Sequence, residues 1–192
     1  MRRKVYTKDQ ILKAAYEVIS KDGFSKFTAR NIAKKMGIST QPIYLEFKNM
    51  QDLKNTLVET VMRDLQENVF PIKHTGNQIV DLGLNYINFA QENRNLYVAL
   101  FVDEYGGGKM MHEFSYEYFK NMVANCPEYA DLSDEYIKAL HDGTWITVTG
   151  IASLMSSGII HPSQEQIGEL IQSAVDGILK MEAPEKIFNG EG

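Results

Sequence analysis

The residues whose types and spacing could do chemistry are concentrated between Thr28 and Lys48. Thr40, Gln41, Tyr44 and Lys48 recur at the spacing of one helical face and carry hydroxyl, amide, phenol and ammonium groups. Such groups reach base edges and phosphates, the two kinds of contact that read and hold a DNA duplex. Thr28, Arg30 and Ser39 add hydroxyl and cationic groups close by in the chain.

Other combinations carry less. Gly106-Gly107-Gly108-Lys109 lacks the upstream glycine spacing, the following Ser or Thr and the preceding strand of a phosphate loop, so it reads as a helix–helix connection. The histidines, His74, His112, His141 and His161, are widely spaced and form no H-E-x-x-H pattern. His141-Asp142 has the composition of an acid–base pair but is expected to be a pair on a helix surface. Cys126 has no cationic neighbour in sequence to activate it and reads as a structural thiol. No catalytic residue, metal site or cofactor is expected, and the chain does not read as an enzyme.

The polar face between Thr28 and Lys48 needs short, rigid elements to hold it. Thr28 precedes Ala29, Ile32, Ala33 and Met36, the apolar stripe of a capped helix. Gly37 follows, where a tight turn needs a left-handed residue, and Ser39 is expected to cap the next helix. Pro42 falls in that helix's first turn, and Ile43 and Phe47 form its inner face. This is the plan of a helix-turn-helix, with the second helix as the reading element. Upstream, Thr7 and Gln10 make a capping-box pair ahead of the stripe Ile11, Leu12, Ala15, Val18 and Ile19.

Charge supports the same division. The 192 residues carry a net −5, yet residues 1–55 hold a net +7 and residues 56–192 a net −12. A basic head that meets a polyanion and an acidic body that does not is the reading this implies. Arg2, Arg3 and Lys4 would extend the head as a basic arm. With 44% hydrophobic and 23% charged residues the chain is not disordered, and one cysteine excludes a disulfide framework. Lys8, Asp9, Lys13 and Glu17 break any apolar run after the basic start, so no export signal is expected and the location is expected to be cytoplasmic.

The remaining pattern is helical, giving an all-α chain of about nine helices. Further helices are expected near residues 50–69, 77–92, 94–105, 109–125, 133–158 and 164–182. The expected domains are a DNA-binding head over 1–50, a ligand-binding and dimerisation domain over 51–185, and a frayed tail over 186–192. The uncharged stretch 143–164 is long enough to span a bilayer, but its many Ser and Thr residues point to a helix buried between others. In the body, Phe89, Tyr97, Phe101, Met111, Phe114, Tyr118, Met122 and Trp145 are candidates to line an apolar pocket, though their helical spacing also suits plain core. Ile151, Leu154, Met155, Leu170, Ile171, Ala174, Val175 and Ile178 form stripes on the last two long helices, wide enough for a four-helix face between two copies.

Residues 7–53, with Ile11-Leu12-Lys13-Ala14-Ala15, Gly23-Phe24, Thr28-Ala29-Arg30-Asn31-Ile32-Ala33, Gly37-Ile38-Ser39, Ile43-Tyr44 and Phe47, resemble the DNA-binding domain of TetR-family regulators. The resemblance implies a homodimer on a palindromic operator near a promoter, released when a small molecule enters the body. It implies that Thr28, Arg30, Thr40, Gln41 and Tyr44 face DNA, with Tyr44 and the Thr28 cap on phosphates. Glu46 stands where the family commonly has an aromatic or His, and Met50 where it commonly has Lys. Both departures remove phosphate attraction, so a helical ligand-binding or interaction protein with a weakened head is the alternative reading.

Overall fold

A computed structural model describes residues 6–102, 108–182 and 184, without the side chain of Lys109. The expected basic arm Arg2–Lys4, Gly106 and Gly107 of the glycine loop, and the tail 186–192 lie outside the described residues. The described residues form nine α-helices and no strand. They are α1 (Lys8–Asp22), α2 (Ala29–Met36), α3 (Gln41–Glu46), α4 (Met50–Asp64), α5 (Gln78–Glu92), α6 (Arg94–Tyr97), α7 (Gly108–Val123), α8 (Asp134–Ser156) and α9 (Gln164–Leu179). None is long and apolar enough to cross a membrane.

The chain divides into two compact units. The first comprises Met1–Asp64 with Asn93–Met111, and the second Leu65–Glu92 with His112–Gly192. The first unit therefore takes in all of α4 and the α6 segment, whereas the domain line expected from sequence falls between residues 50 and 51.

In the first unit α1 is the central strut. Thr7 and Gln10 close the expected capping box, each side chain accepting from the other's backbone N–H. Ile11, Ala14, Ala15, Val18 and Ile19 are buried where α1 meets α2, α4 and α6. Asn95 donates from Nδ2 to the Lys21 carbonyl at 3.1 Å, tying the end of α1 to α6. The helix expected over 94–105 is regular only to Tyr97, and Val98–Val102 widens into a π-helical turn. Another π-helical turn, Leu65–Val69, follows α4 and opens the second unit.

In the second unit α5, α8 and α9 pack together. Gly83 marks their closest approach, since a Cβ there would stand 2.6 Å from Ile171 Cδ1 and 3.0 Å from Val148 Cγ1. Two buried polar side chains of α5 organise the turn before it. Asp81 accepts from the Thr75 N–H, the Thr75 hydroxyl and the Gly76 N–H. Asn85 donates from Nδ2 to the carbonyls of Phe70 and Ile72, and its Oδ1 lies 2.7 Å from His74 Nε2. Burial works to raise the Asp81 carboxyl, but the Thr75, His74 and Gly76 hydrogen bonds prevail and hold it below the usual carboxylate range.

Candidate nucleic-acid interface

The reading helix is positioned by its buried side. Ile43 and Phe47 are 1% and 2% exposed, which fixes the rotation of α3 about its axis. Gln41, Tyr44, Leu45 and Glu46 are then left facing solvent, with Tyr44 52% exposed. Gly37 makes the turn, with φ 68° and ψ 35°, a left-handed conformation open to glycine at little cost. Its N–H closes on the end of α2, and the Ile38 N–H donates to the Ala33 carbonyl at 3.0 Å. Thr28 caps α2 by accepting from the Asn31 N–H at 3.2 Å, and Asn31 in turn donates to the Lys26 carbonyl.

Ser39 does not cap α3. The N-cap is Thr40, whose backbone is already helical and whose side chain makes no capping bond. A capping hydroxyl needs an extended backbone to aim at the N–H groups of the first turn, and Pro42 has removed one of those groups. Thr28, Arg30, Ser39, Gln41, Tyr44 and Lys48 are all exposed, and Thr40 is half-buried. Asn49 starts α4 by accepting from the Asp52 N–H, while Asp52 accepts from the Lys48 N–H. Met50 is thus the first residue of α4, directly after the segment that carries Lys48.

The eight pocket candidates do not share one unit. Tyr97, Phe101 and Met111 belong to the first, where the Tyr97 and Phe101 rings stack at 5.5 Å. Phe89, Phe114, Tyr118, Met122 and Trp145 belong to the second, where Tyr118 packs on Phe70 and Trp145 on Tyr86. Of the eight candidates for a dimer face, Ile151, Ile171, Val175 and Ile178 are buried in their own chain and serve its core. Leu154 and Leu170 remain exposed, Met155 and Ala174 half-buried, and Ile146 and Ile159 join the exposed set.

His141-Asp142 is not a surface pair. Both residues are buried, at 3% and 8% exposure, because this face of α8 turns toward α7. His141 Nδ1 and His112 Nε2 each lie 3.0 Å from Asp142 Oδ1, and Lys138 pairs with Asp142 Oδ2. His141 Nε2 lies 2.8 Å from Ser115 Oγ. Burial pushes His141 down to about 4 despite the neighbouring carboxylate. Burial also works to raise Asp142, but hydrogen bonds from Lys138, His141 and His112 outweigh it and hold the carboxyl below its ordinary range. The signal in the sequence was helical spacing: His112 and Ser115 sit at i, i+3, and Lys138, His141, Asp142 and Trp145 fall on adjoining rows of one helix.

Residues 11–56 match the model of the family described as bacterial regulatory proteins, tetR family. Three solved structures show the likeness over the whole chain. A TetR-like transcriptional regulator from Rhodococcus sp. RHA1 is 18% identical, with 94% of this chain and 100% of that one covered and a TM-score of 0.59. The flavonoid-responsive regulator FrrA is 19% identical over 90% of this chain and 95% of that one, at a TM-score of 0.61. The fatty acid degradation regulator FadR from Bacillus halodurans is 14% identical over 95% and 100%, also at 0.61. At these identities the likeness is one of fold. Residues 11–56 thus match the model of the tetR family of bacterial regulatory proteins, and the chain has the fold of these solved regulators.

Proposed function

We propose that this chain is a ligand-responsive transcriptional repressor that works in the cytoplasm, binds a palindromic operator as a homodimer and lets go when a small apolar or amphipathic effector binds its body. The observation that carries this reading is the face of α3, where a fully buried Ile43 and Phe47 leave Gln41 and Tyr44 outward beside Lys48. Thr28, Arg30, Ser39 and Thr40 are assigned to the same contact, with Tyr44 and the Thr28 hydroxyl on phosphates. The aromatic and methionine content of the body suits a varied apolar ligand. FrrA is described as flavonoid-responsive and FadR as a fatty acid degradation regulator, which makes those two ligand classes the first to try.

The test is selection of genomic fragments by the purified chain, repeated with flavonoids and with fatty acids. Recovery of one inverted repeat, lost in the presence of a ligand, is the expected result. Recovery of no enriched sequence would refute it. One observation favours a second reading, a helical binding protein whose head has lost its grip on DNA: Glu46 is exposed on α3, where a carboxylate repels phosphate. A gel shift with the chain's own upstream region separates the two.

A further inference from the structure

We propose that His112, His141 and Asp142 form a binding site in the second unit for one first-row divalent transition cation. One donor atom from each residue lies within 4.8 Å of the other two. His112 Nε2 and His141 Nδ1 both stand 3.0 Å from the same oxygen, Asp142 Oδ1. Neighbouring ligands in a tetrahedral zinc site with bonds of about 2.0–2.1 Å are about 3.3 Å apart, so the two pairs with Asp142 Oδ1 already stand near that spacing and binding would adjust the separation of the two imidazole nitrogens.

The hydrogen-bond partners leave room for a cation there. Ser115 Oγ lies 3.0 Å from the His112 carbonyl and 2.8 Å from His141 Nε2. With the ring proton on Nδ1, His141 donates to Asp142 Oδ1 at 3.0 Å. With the proton on Nε2, the ring donates to Ser115 Oγ, whose own proton goes to the His112 carbonyl, and the Nδ1 lone pair is free to take a metal. A cation between Nδ1 and Asp142 Oδ1 would select the second arrangement without leaving a polar atom unpaired.

The surroundings match what metal ligands require. Ser115 Oγ stands ready to accept from His141 Nε2–H when Nδ1 binds a metal, and Lys138 occupies Asp142 Oδ2, leaving Oδ1 as the single donor. The Tyr116, Phe119 and Trp145 rings pack on His141 with centroids 5.5–5.6 Å away and hold its plane. Two imidazole nitrogens and one carboxylate suit zinc, cobalt or iron(II) rather than magnesium or calcium. The His112 side chain is 42% exposed, which gives the ion a way in and leaves a fourth position for water or a second ligand's oxygen. This site stands apart from the operator reading, and its test does not use DNA.

The full chain, stripped with a chelator, would be titrated with cobalt(II) and followed by visible ligand-field absorption, then challenged with zinc. One cobalt per chain, displaced by zinc, is the expected result. His112→Gln should lower affinity at least about 100-fold, since loss of a mere supporting hydrogen bond already costs 10–100-fold. His161→Gln, on an exposed histidine elsewhere, should leave affinity unchanged. His112→Cys keeps a ligand in place and should add a sulfur-to-cobalt charge-transfer band, so the claim stays testable if His112→Gln does not fold. Absence of cobalt bands, equal affinity in His112→Gln, or an unaltered spectrum in His112→Cys would each overturn the site.

Discussion

Leu170 and Val175 lie on the same helix, α9, and the same substitution should do opposite things to them. Leu170 is 49% exposed, so about half of the 1.5–3 kcal/mol available for burying a leucine, roughly 1 kcal/mol, is still to be gained. A two-fold face counts it twice, giving about 2 kcal/mol, or about a 30-fold change in dimer dissociation constant. Leu170→Glu should therefore weaken the proposed dimer by at least that factor, with like charges across the axis adding to it. The chain should stay folded, and operator affinity should fall although the head is untouched. Val175 is 1% exposed, so Val175→Glu would bury an unpaired carboxylate and unfold the second unit instead. Sedimentation equilibrium and circular dichroism on both variants separate the outcomes. A Leu170→Glu dimer within about threefold of the wild-type constant would refute the assignment of this face.

On the head, Gln41→Ala should cost about 1–3 kcal/mol at one operator position and relax specificity there, while Lys48→Ala should weaken all sequences alike and flatten the salt slope by about one. Fluorescence anisotropy over a set of mutated operators at several salt concentrations reads both. Glu46→Tyr and Met50→Lys should each tighten operator binding. Met50→Lys should also lower stability by about 0.3–1 kcal/mol, because it sets a cation at the positive end of α4; a variant that neither binds more tightly nor melts lower would contradict that placement. Gly83→Ala should lower the melting temperature of the second unit, since overpacking against Ile171 and Val148 costs about 1–3 kcal/mol and the gain in helix propensity is at most about 1.

The helix-turn-helix was legible because its determinants are local. Thr7, Gln10, Thr28 and Gly37 act on residues within a turn or two, and each does what its type and position imply. Ser39 misled for the same reason: the cap rule assumes an extended backbone, and α3 begins one residue later on an already helical one. The body was legible as a row of helices but not as a site. Whether Val175 or Leu170 faces outward depends on how α5 and α8 lie against α9, and no spacing within α9 records that. His112 and Asp142 are thirty residues apart, so their meeting on one oxygen is a product of packing. The π-helical turn at Val98–Val102 left no mark in the apolar pattern, which reads as unbroken helix.

The turn from Phe70 to Gly76 offers an exposed lysine, Lys73, to a protease such as trypsin, yet exposure is only half of what cleavage requires. A protease must draw several residues on each side of the scissile bond into an extended strand in its own cleft. Here Asn85 holds the carbonyls of Phe70 and Ile72, and Asp81 holds the N–H groups of Thr75 and Gly76. Both anchors are buried on α5, so the segment can be drawn out only when that helix lets go. Cutting after Lys73 therefore reports the opening of the α5 packing rather than the mobility of a surface loop, and limited proteolysis at this bond measures how tightly the second unit is closed.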